Sequence, residues 1–355
     1  MKLNAVVVGS TGLVGQRLVN YLSNHPWFNL IGITASKEKS GKKYEDAVRW
    51  SLEKEIPNKV KDMIIYDTDL EMISSLKPDI IFTSLPSNVS TVYDIELVKR
   101  GFTVISHASN NRMEPDIPLL NPEVNADHIS VLKIQKKRWK GTLLKVPNCV
   151  TSILTLALKP IYDDFGIQQV FVSTMQALSG AGLNGVPSMA ILDNIIPFIE
   201  HEEEKIENES LKILGYITPE GIKLNDRLYV SPSVHRVNVL EGHLESVFIK
   251  TDKDVDVNDI KESLTEFRNN KIKNIDLPSK PKDPIIIKEE VDRPQPRLDR
   301  NEGNGMSVVV GRIRKDKKNW IKFNVLGHNT IRGAAGNGIL IAEVLLKNNE
   351  LLDFQ

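Results

Sequence analysis

Cysteine is almost absent from the chain, since Cys149 is the single one among 355 residues. An internal disulfide is therefore excluded, and so is a metal site built from several thiolates. The 46 basic and 46 acidic side chains leave no net charge, so the composition offers no basic surface for nucleic acid or for an anionic membrane. These absences favour a protein that acts on small molecules, without a metal and without nucleic-acid or membrane partners.

Long apolar runs are also missing. No stretch approaches the roughly 20 apolar residues that a membrane-spanning helix needs. The chain starts with Met1 followed by "KLNAVVVG", which is typical of a first β-strand and not of the apolar core of a signal peptide. We therefore expect a cytoplasmic protein.

Short apolar runs alternate with helical patterns in the first part of the chain. The apolar runs lie at 4–9, 29–36, 62–67, 78–86 and 102–109, and the helical patterns at 12–25 and 88–100. Near-continuous apolar strands separated by helices are typical of a parallel sheet that is covered on both faces. We predict an α/β fold whose N-terminal domain, residues 1–148, is a Rossmann-like, doubly wound parallel sheet.

The pattern changes at Cys149. Helices are predicted at about 150–164 and 199–214, and strands with period-two alternation at 229–251, 306–314 and 320–328. Such alternation favours antiparallel pairing with one face buried. We predict a second, α+β domain with a largely antiparallel sheet over residues 149–329, and a C-terminal helix at 330–355 that completes the first domain.

A glycine-rich turn, "GSTGLVG", follows the first predicted strand and opens the first helix. Glycine lets such a turn tighten and lets a pyrophosphate reach free backbone N–H groups at the positive end of the helix dipole. A tight turn without a ligand is the alternative interpretation. We favour a dinucleotide site because the turn stands between a strand and a helix, as this motif requires. The predicted contacts in the turn are Gly9, Thr11, Gly12, Leu13 and Val14.

The end of the second predicted strand indicates which dinucleotide binds. An NAD site usually has Asp or Glu there for the ribose 2′-hydroxyl, but "ITASKEKSGKK" has no acid before Glu38. Ser36, Lys37 and Ser40 supply hydroxyls and a cation, which suit a 2′-phosphate. A lysine-rich surface turn is the alternative. We predict NADP as the cofactor, with further contacts at Ser84, Pro86, Ser179, Gly180 and Asn329.

Cys149 lies in "KVPNCVTSIL", between an apolar strand and a predicted helix. A cysteine attacks only as the thiolate, and a helix N-terminus lowers the pKa of a thiol. A buried structural cysteine is the usual alternative for this residue type. The local pattern favours neither interpretation.

Polar residues later in the chain favour a catalytic cysteine. Gln176 precedes a Gly/Ser turn whose backbone N–H groups can stabilise an oxyanion or contact a nicotinamide. Arg236 and His243 are seven residues apart in "HRVNVLEGH". In one strand an odd offset places two side chains on opposite faces, so both reach one cleft only if the backbone bends between them, for example at Gly242.

Seven segments together resemble the archaeal and fungal branch of the aspartate-β-semialdehyde dehydrogenase family, along essentially the whole chain. They occur in this order: "GSTGLVGQR", "SHASNNRM", "VPNCVTS", "MQALSGAG", "ENESLKIL", "HRVNVLEGH" and "HNTIRGAAGNG". The resemblance implies Cys149 as an acyl-thioester nucleophile, His243 as the general acid/base and Gln176 as the residue that orients the substrate. It also implies a substrate site formed by Arg112, Glu209, Lys212 and Arg236.

Alternatives remain for the substrate residues. Glu209 and Lys212 are also compatible with an exposed helical ion pair, and the acidic run from Glu202 to Glu209 leaves the register of this helix open. Arg112 is also compatible with a solvated loop residue.

The implied reaction is the reversible, NADPH-dependent reductive dephosphorylation of L-aspartyl-4-phosphate to L-aspartate-4-semialdehyde through a cysteine thioester. It belongs to the biosynthesis of lysine, threonine, methionine and isoleucine. Malonyl-CoA or succinyl-CoA reductases of the same family are the nearest alternative, and Pro147 and Asn148 in "VPNC" favour the semialdehyde dehydrogenases. A dinucleotide-sensing regulator without catalysis is a further alternative. The resemblance also implies a homodimer or homotetramer, with the second sheet as the interface.

Overall fold

A computed structural model of the chain describes residues 2–267, 272 and 274–348. The strands are β1 (Leu3–Val8), β2 (Phe28–Ala35), β3 (Ile65–Asp67), β4 (Ile80–Thr83), β5 (Thr103–Ser106), β6 (Thr142–Lys145), β7 (Ile167–Gln176), β8 (Tyr216–Thr218), β9 (Gly221–Lys223), β10 (Tyr229–Arg236), β11 (His243–Thr251), β12 (Ile285–Lys288), β13 (Val308–Lys315) and β14 (Trp320–Gly327). The helices are α1 (Leu13–Leu22), α2 (Tyr44–Ala47), α3 (Asn58–Lys61), α4 (Leu70–Ser75), α5 (Ser87–Lys99), α6 (Pro122–Asn125), α7 (Leu132–Gln135), α8 (Cys149–Phe165), α9 (Ser188–Ile191), α10 (Glu202–Ile213), α11 (Val257–Glu266), α12 (Pro296–Asp299) and α13 (Gly336–Lys347).

The first six strands form one parallel sheet in the order β3-β2-β1-β4-β5-β6. Its central strand β1 is buried from Ala5 to Val8, as expected for a strand with helices on both faces. The predicted Rossmann-like, doubly wound sheet is therefore confirmed. The strand order reverses between β1 and β4, and ligands of such sheets bind outside the carboxyl ends of the strands at this point.

The second sheet also has six strands, in the order β10-β7-β11-β14-β13-β12. Strands β7, β11, β14 and β13 pair antiparallel, whereas the outer strands β10 and β12 pair parallel to their neighbours. The predicted, largely antiparallel sheet is thus confirmed. Helix α8 packs its apolar side against the inner face, where Leu154, Ala157 and Ile161 join the sheet's core.

Helix α8 begins at Cys149 because the preceding residue caps it. Asn148 Oδ1 accepts hydrogen bonds from the backbone N–H groups of Val150 and Thr151, at 2.8 and 3.2 Å. Asparagine is among the preferred N-cap residues, and a cap fixes where the first turn starts. Cys149 is therefore held at the first turn of α8, directly after the last strand of the parallel sheet.

The C-terminal part of the described chain returns to the first sheet. Ile339, Leu340 and Ile341 of α13 are fully buried in the same core as strand β1. A π-helical turn at Ile331–Ala335 precedes α13. The predicted helix at 330–355 is described only to residue 348, and the remainder lies outside the described residues. None of the helices in the described part of the chain combines the length and the apolar character needed to span a bilayer.

Candidate active site

A cavity of about 510 Å³ lies where the carboxyl ends of the parallel strands face the second sheet. Residues from both parts of the chain form its wall. The site residues among them are Val14, Pro86, Arg112, Cys149, Ser179, Gly180, Glu202, Lys205, Arg236 and Asn329.

Cys149 and His243, which are distant in sequence, form a close pair beside this cavity. The distance from Cys149 Sγ to His243 Nε2 is 3.1 Å. His243 Nδ1 accepts a hydrogen bond of 3.0 Å from the backbone N–H of Ala177. Because Nδ1 is an acceptor, the neutral imidazole carries its proton on Nε2 and donates it towards the sulfur. The ring is thus placed to stabilise a thiolate or an oxyanion.

Burial dominates the electrostatics of this pair. Burial raises the pKa of Cys149 to about 12, the carboxylate of Glu202 adds to the rise, and Arg236 opposes it. Burial also lowers the pKa of His243 to about 3, and the charge of Arg236 adds to this fall. In the free protein the pair is therefore a thiol and a neutral imidazole, so thiolate formation must be coupled to substrate binding.

Arg236 and His243 reach the same site because they lie on different strands. Arg236 ends β10 and His243 begins β11, while β7 lies between these two strands in the sheet. The odd offset in sequence is therefore no obstacle. Gly242 has a φ of +98° in the connecting segment, so the predicted bend is present, but a change of strand accompanies it.

Arg236 is anchored by the residue that also holds His243. Its Nη1 donates to the carbonyl oxygen of Ala177 at 2.7 Å. A Cβ atom at Gly180 would lie 2.6 Å from this Nη1 and 3.2 Å from His243 Cε1. A side chain at position 180 would therefore displace the end of Arg236, because the turn after β7 passes directly over Arg236 and His243.

Gln176 lies behind the wall of the cavity. It is the last residue of β7 and is almost fully buried, and its Nε2 donates to Thr174 Oγ1 at 3.3 Å. Ser179 and Gly180, the predicted cofactor contacts, form the neighbouring stretch of the cavity wall.

Helix α10 presents a different acid and base to the cavity from those predicted. Glu202 and Lys205 line it, and Lys205 Nζ is 3.9 Å from Glu202 Oε2. The spacing Glu-x-x-Lys occurs twice in this helix, seven residues apart, as Glu202/Lys205 and as Glu209/Lys212. The pair that lines the cavity therefore lies two helical turns before the pair that the resemblance implies.

Glu209 and Lys212 instead bind residues of the cavity wall and hold them in place. Glu209 accepts from Arg112 Nη1 at 2.7 Å and from the backbone N–H of Asn148 at 2.6 Å. Lys212 is fully buried, and its Nζ donates to the carbonyl oxygens of Arg112, Glu114 and Ile117. Burial lowers the pKa of Lys212 to about 7, although three acceptors match the three donors of an ammonium group.

Arg112 lines the cavity, and it is buried and not a solvated loop residue. Its Nη2 donates to His107 O at 2.8 Å, and its Nη1 pairs with Glu209. Two fixed partners hold the guanidinium group at the cavity wall.

The glycine-rich turn forms a cradle at the end of β1. A Cβ atom at Gly9, whose φ is +86°, would lie 2.8 Å from the carbonyl oxygen of Ser84. Ser84 Oγ donates to Gly9 O at 2.9 Å, which ties the ends of β1 and β4 together. Gly12 is the N-cap of α1 and has no side chain above the helix N-terminus. This backbone arrangement fits a dinucleotide pyrophosphate.

A lysine outside the predicted set contacts this cradle. Lys39 Nζ donates to Thr11 Oγ1 at 3.2 Å. Ser36, Lys37 and Ser40 surround it in a 3₁₀ turn that follows β2. Residues three apart lie above one another in such a turn, so the spacing from Ser36 could have identified Lys39. A cation beside hydroxyl groups fits a 2′-phosphate.

Asn329 and Ser179, two of the predicted cofactor contacts, are hydrogen-bonded to each other. Asn329 Nδ2 donates to Ser179 Oγ at 2.8 Å, and both residues line the cavity next to Cys149. Gly333, in the π-helical turn, packs directly against the cysteine, since a Cβ there would lie 2.6 Å from Cys149 Cβ. In the described residues no group of His, Cys, Asp and Glu side chains is arranged to hold a metal ion.

Two family models match the chain. "Semialdehyde dehydrogenase, NAD binding domain" matches residues 4–132, and "Semialdehyde dehydrogenase, dimerisation domain" matches residues 158–332.

Three relatives are similar over nearly their whole length. The aspartate-semialdehyde dehydrogenase of Archaeoglobus fulgidus is 46% identical over 98% of this chain and 99% of its own. The crystal structure of aspartate semialdehyde dehydrogenase with NADP from Candida albicans superposes with a TM-score of 0.89, at 37% identity, and covers 98% of this chain and 99% of its own. A malonyl CoA reductase (NADP) of Metallosphaera sedula is less similar, at 35% identity over 97% of each chain.

Proposed function

Because the chain belongs to the aspartate-semialdehyde dehydrogenase family, we propose that it reduces L-aspartyl-4-phosphate to L-aspartate-4-semialdehyde with NADPH, reversibly, in amino-acid biosynthesis. The observation that carries this function is the Cys149–His243 pair, 3.1 Å apart, at the N-terminus of α8. The pair lies beside a cavity that also reaches the cofactor cradle and Arg236.

Cys149 is the nucleophile. Its sulfur attacks the acyl carbon of the bound acyl phosphate, the bond to the phosphate oxygen breaks, and a thioester on Cys149 remains. The thiol proton passes to the departing phosphate, and the first turn of α8 and the Nε2–H of His243 stabilise the negative charge that develops on sulfur. Arg112 and Lys205 are cations of the cavity wall besides Arg236, and we place the phosphate between these two.

Arg236 and Glu202 orient the amino-acid part of the substrate. The guanidinium group of Arg236 pairs with the α-carboxylate, and the carboxylate of Glu202 pairs with the α-ammonium group. Asn148 Nδ2 donates to Glu202 Oε1 at 2.9 Å, so the residue that caps α8 also positions Glu202. Asn148 therefore positions both Glu202, which binds the ammonium group of the substrate, and Cys149, the nucleophile. Gln176 supports this wall from behind.

The cofactor site is formed by the glycine-rich cradle, the turn at Ser36–Ser40 with Lys39, and Ser179 with Asn329. Bound NADPH supplies the hydride that reduces the thioester carbonyl. The turn at Ser179 and Gly180 lines the reacting face, and His243 donates an Nε2–H hydrogen bond to the carbonyl oxygen as negative charge develops there. The bond between the carbon and Cys149 Sγ then breaks, which releases the aldehyde and leaves the thiolate.

An activity assay tests this function. We expect the purified protein to reduce NADP when aspartate semialdehyde and phosphate are both present, and to oxidise little NADPH with malonyl-CoA. Omitting phosphate is the control, since the thioester then lacks its acceptor. Activity with malonyl-CoA alone would assign the protein to the acyl-CoA reductases, and binding of NADP without any turnover would indicate a regulator.

A matched pair of lysine variants tests the register of α10. Lys205→Met should raise the KM for phosphate about 30-fold, because one charged contact worth about 2 kcal/mol is lost. The stability of the protein should change little. Lys212→Met should instead lower the free energy of unfolding by about 3 kcal/mol, because three buried carbonyl groups lose their donor. Steady-state kinetics and urea unfolding measure the two effects. The reverse pattern would restore Lys212 to the substrate site.

The matched family model describes a dimerisation domain, and the chain therefore forms an oligomer. We propose a homodimer through the outer face of the second sheet. Phe171, Tyr229, Phe248 and Trp320 contribute to this face, with the Phe171 ring 6.0 Å from Tyr229 and 5.9 Å from Trp320. Exposed aromatic patches of this kind mark interfaces. Sedimentation equilibrium distinguishes a dimer from a tetramer, and a monomer at micromolar concentration would contradict the proposal.

We also propose that residues 1–148 and the C-terminal helix at 330–355 bind the cofactor, while residues 149–329 carry catalysis and dimerisation. The burial of α13 in the core of the first sheet supports this division. The cytoplasmic location stays a prediction.

A further inference from the structure

The segment at 237–242 joins β10 to β11 and ends directly before His243. Its last residue, Gly242, donates its backbone N–H to Asn329 Oδ1 at 2.8 Å. Glu241, the residue before it, points its carboxylate away from the second sheet and towards α1. The position of His243 at the start of β11 therefore depends on what holds this short segment.

The carboxylate of Glu241 is bound on several sides. Arg17 Nη2 donates to both of its oxygens, at 2.9 and 2.8 Å. Thr330 Oγ1 donates to Oε1 at 2.9 Å, and His328 Nε2 lies 3.3 Å from Oε2. Arg17 Nε also donates to Thr330 Oγ1 at 3.2 Å, which closes the cluster. The arginine, which contacts both oxygens through Nη2, and two further partners fix the orientation of the carboxylate.

The cluster is shielded from solvent. The side chains of Arg17 and Glu241 are 11% and 13% exposed. Burial alone would raise the pKa of Glu241, but the hydrogen bonds and charges of His328 and Arg17 outweigh it and lower the pKa to about 2. Glu241 is thus ionised throughout the neutral range, and the ion pair with Arg17 is permanent there.

Arg17 and Glu241 belong to the two different parts of the chain, one built around each sheet. Arg17 lies in α1, the helix that opens at the glycine-rich turn, whereas Glu241 lies two residues before His243. The ion pair is therefore a direct connection between the helix of the cofactor cradle and the segment that carries the imidazole.

Building on the proposed function, we propose that Glu241 is a positioning residue for His243 and that Arg17 anchors it to α1. The cofactor-binding part of the chain thereby sets where the imidazole lies over Cys149. Neither residue contacts the reacting atoms, and both act through the backbone of the segment at 237–242.

Glu241→Gln keeps the shape of the side chain and removes the charge. We expect kcat to fall about 30-fold, because a misplaced proton donor weakens catalysis more than substrate binding, with the KM for aspartate semialdehyde within threefold of wild type. Arg17→Lys, which keeps the charge and loses the Nε contact to Thr330, should give a smaller loss of kcat. The double variant Arg17→Gln/Glu241→Gln should lose no more than the worse single variant, since the residues form one unit.

The matched control is Glu53→Gln. Glu53 pairs with Arg300 at 3.1 Å, and Arg300 donates weakly to the backbone carbonyl oxygen of Glu241 at 3.4 Å, so this exposed pair also connects the two parts of the chain at this segment but leaves the carboxylate of Glu241 untouched. The Glu53→Gln variant should therefore keep kcat within twofold of wild type.

A second readout does not depend on the substrate. We expect the rate of alkylation of Cys149 by iodoacetamide at pH 8 to fall about tenfold in Glu241→Gln, because the sulfur loses its hydrogen bond from His243. A normal alkylation rate and kcat with only a lower Tm would overturn the positioning role. If alkylation slows as expected but wild-type protein shows no activity with aspartate semialdehyde, the positioning role stands and the proposed function fails.

Discussion

Replacing Cys149 with serine should reduce the rate of NADP reduction by aspartate semialdehyde and phosphate at least about 10⁴-fold, the scale seen when a covalent nucleophile is lost. The hydroxyl group has a far higher pKa than the thiol, and the burial that already raises the pKa of Cys149 to about 12 acts on the hydroxyl as well. An oxyester is also harder to reduce than a thioester. Initial rates with saturating cofactor measure the effect.

The control for this variant is cofactor binding. Serine is slightly smaller than cysteine and keeps the cap from Asn148, so α8 should form and NADP affinity should be unchanged within threefold. Residual activity within tenfold of wild type would remove Cys149 from the mechanism, whereas lost NADP binding would indicate a folding defect and not a chemical one.

Arg236→Lys should lower kcat/KM for aspartate semialdehyde about 100-fold, a typical loss when a substrate is no longer held in line with its nucleophile. The Nη1 of Arg236 is committed to Ala177 O at 2.7 Å, and a bound carboxylate would take the remaining N–H groups of the planar fork. A lysine ammonium is a point charge on a flexible stem and cannot serve both partners in the same geometry.

Arg138→Lys is the matched control, since Arg138 Nη1 donates to both carboxylate oxygens of Asp116, at 2.8 and 2.7 Å, and its side chain is half exposed. Its kcat/KM should stay within twofold of wild type. Equal losses in both variants, or an unchanged kcat/KM in Arg236→Lys, would contradict the assignment of Arg236 to the substrate carboxylate.

Features encoded by adjacent residues were predictable from the sequence. The alternation of apolar runs predicts the parallel sheet, and "PNC" before a helical pattern predicts where α8 starts, because an asparagine cap acts on the next few N–H groups. The glycine-rich turn is equally local. Its contact with Lys39 was missed because that lysine comes from the following βα connection.

Features that depend on strand order could not be predicted from local patterns. The insertion of β7 between β10 and β11 brings Arg236 and His243 to one site, and no local pattern encodes which strand occupies that place. The Glu/Lys pair of α10 that lines the cavity could not be identified for another reason. The Glu-x-x-Lys spacing is repeated on one face of the same helix, and only packing decides that Lys205 lines the cavity while Lys212 is buried.

Ala177 donates its N–H to His243 and accepts from Arg236 with its carbonyl oxygen. The proton donor and the carboxylate clamp are therefore related by only two backbone dihedral angles, a φ of −66° and a ψ of 155° at this residue. Every amino acid with a Cβ adopts these angles without strain. The backbone of this fully buried residue thus sets the spacing between the two groups, and any displacement of the end of β7 carries both groups along together.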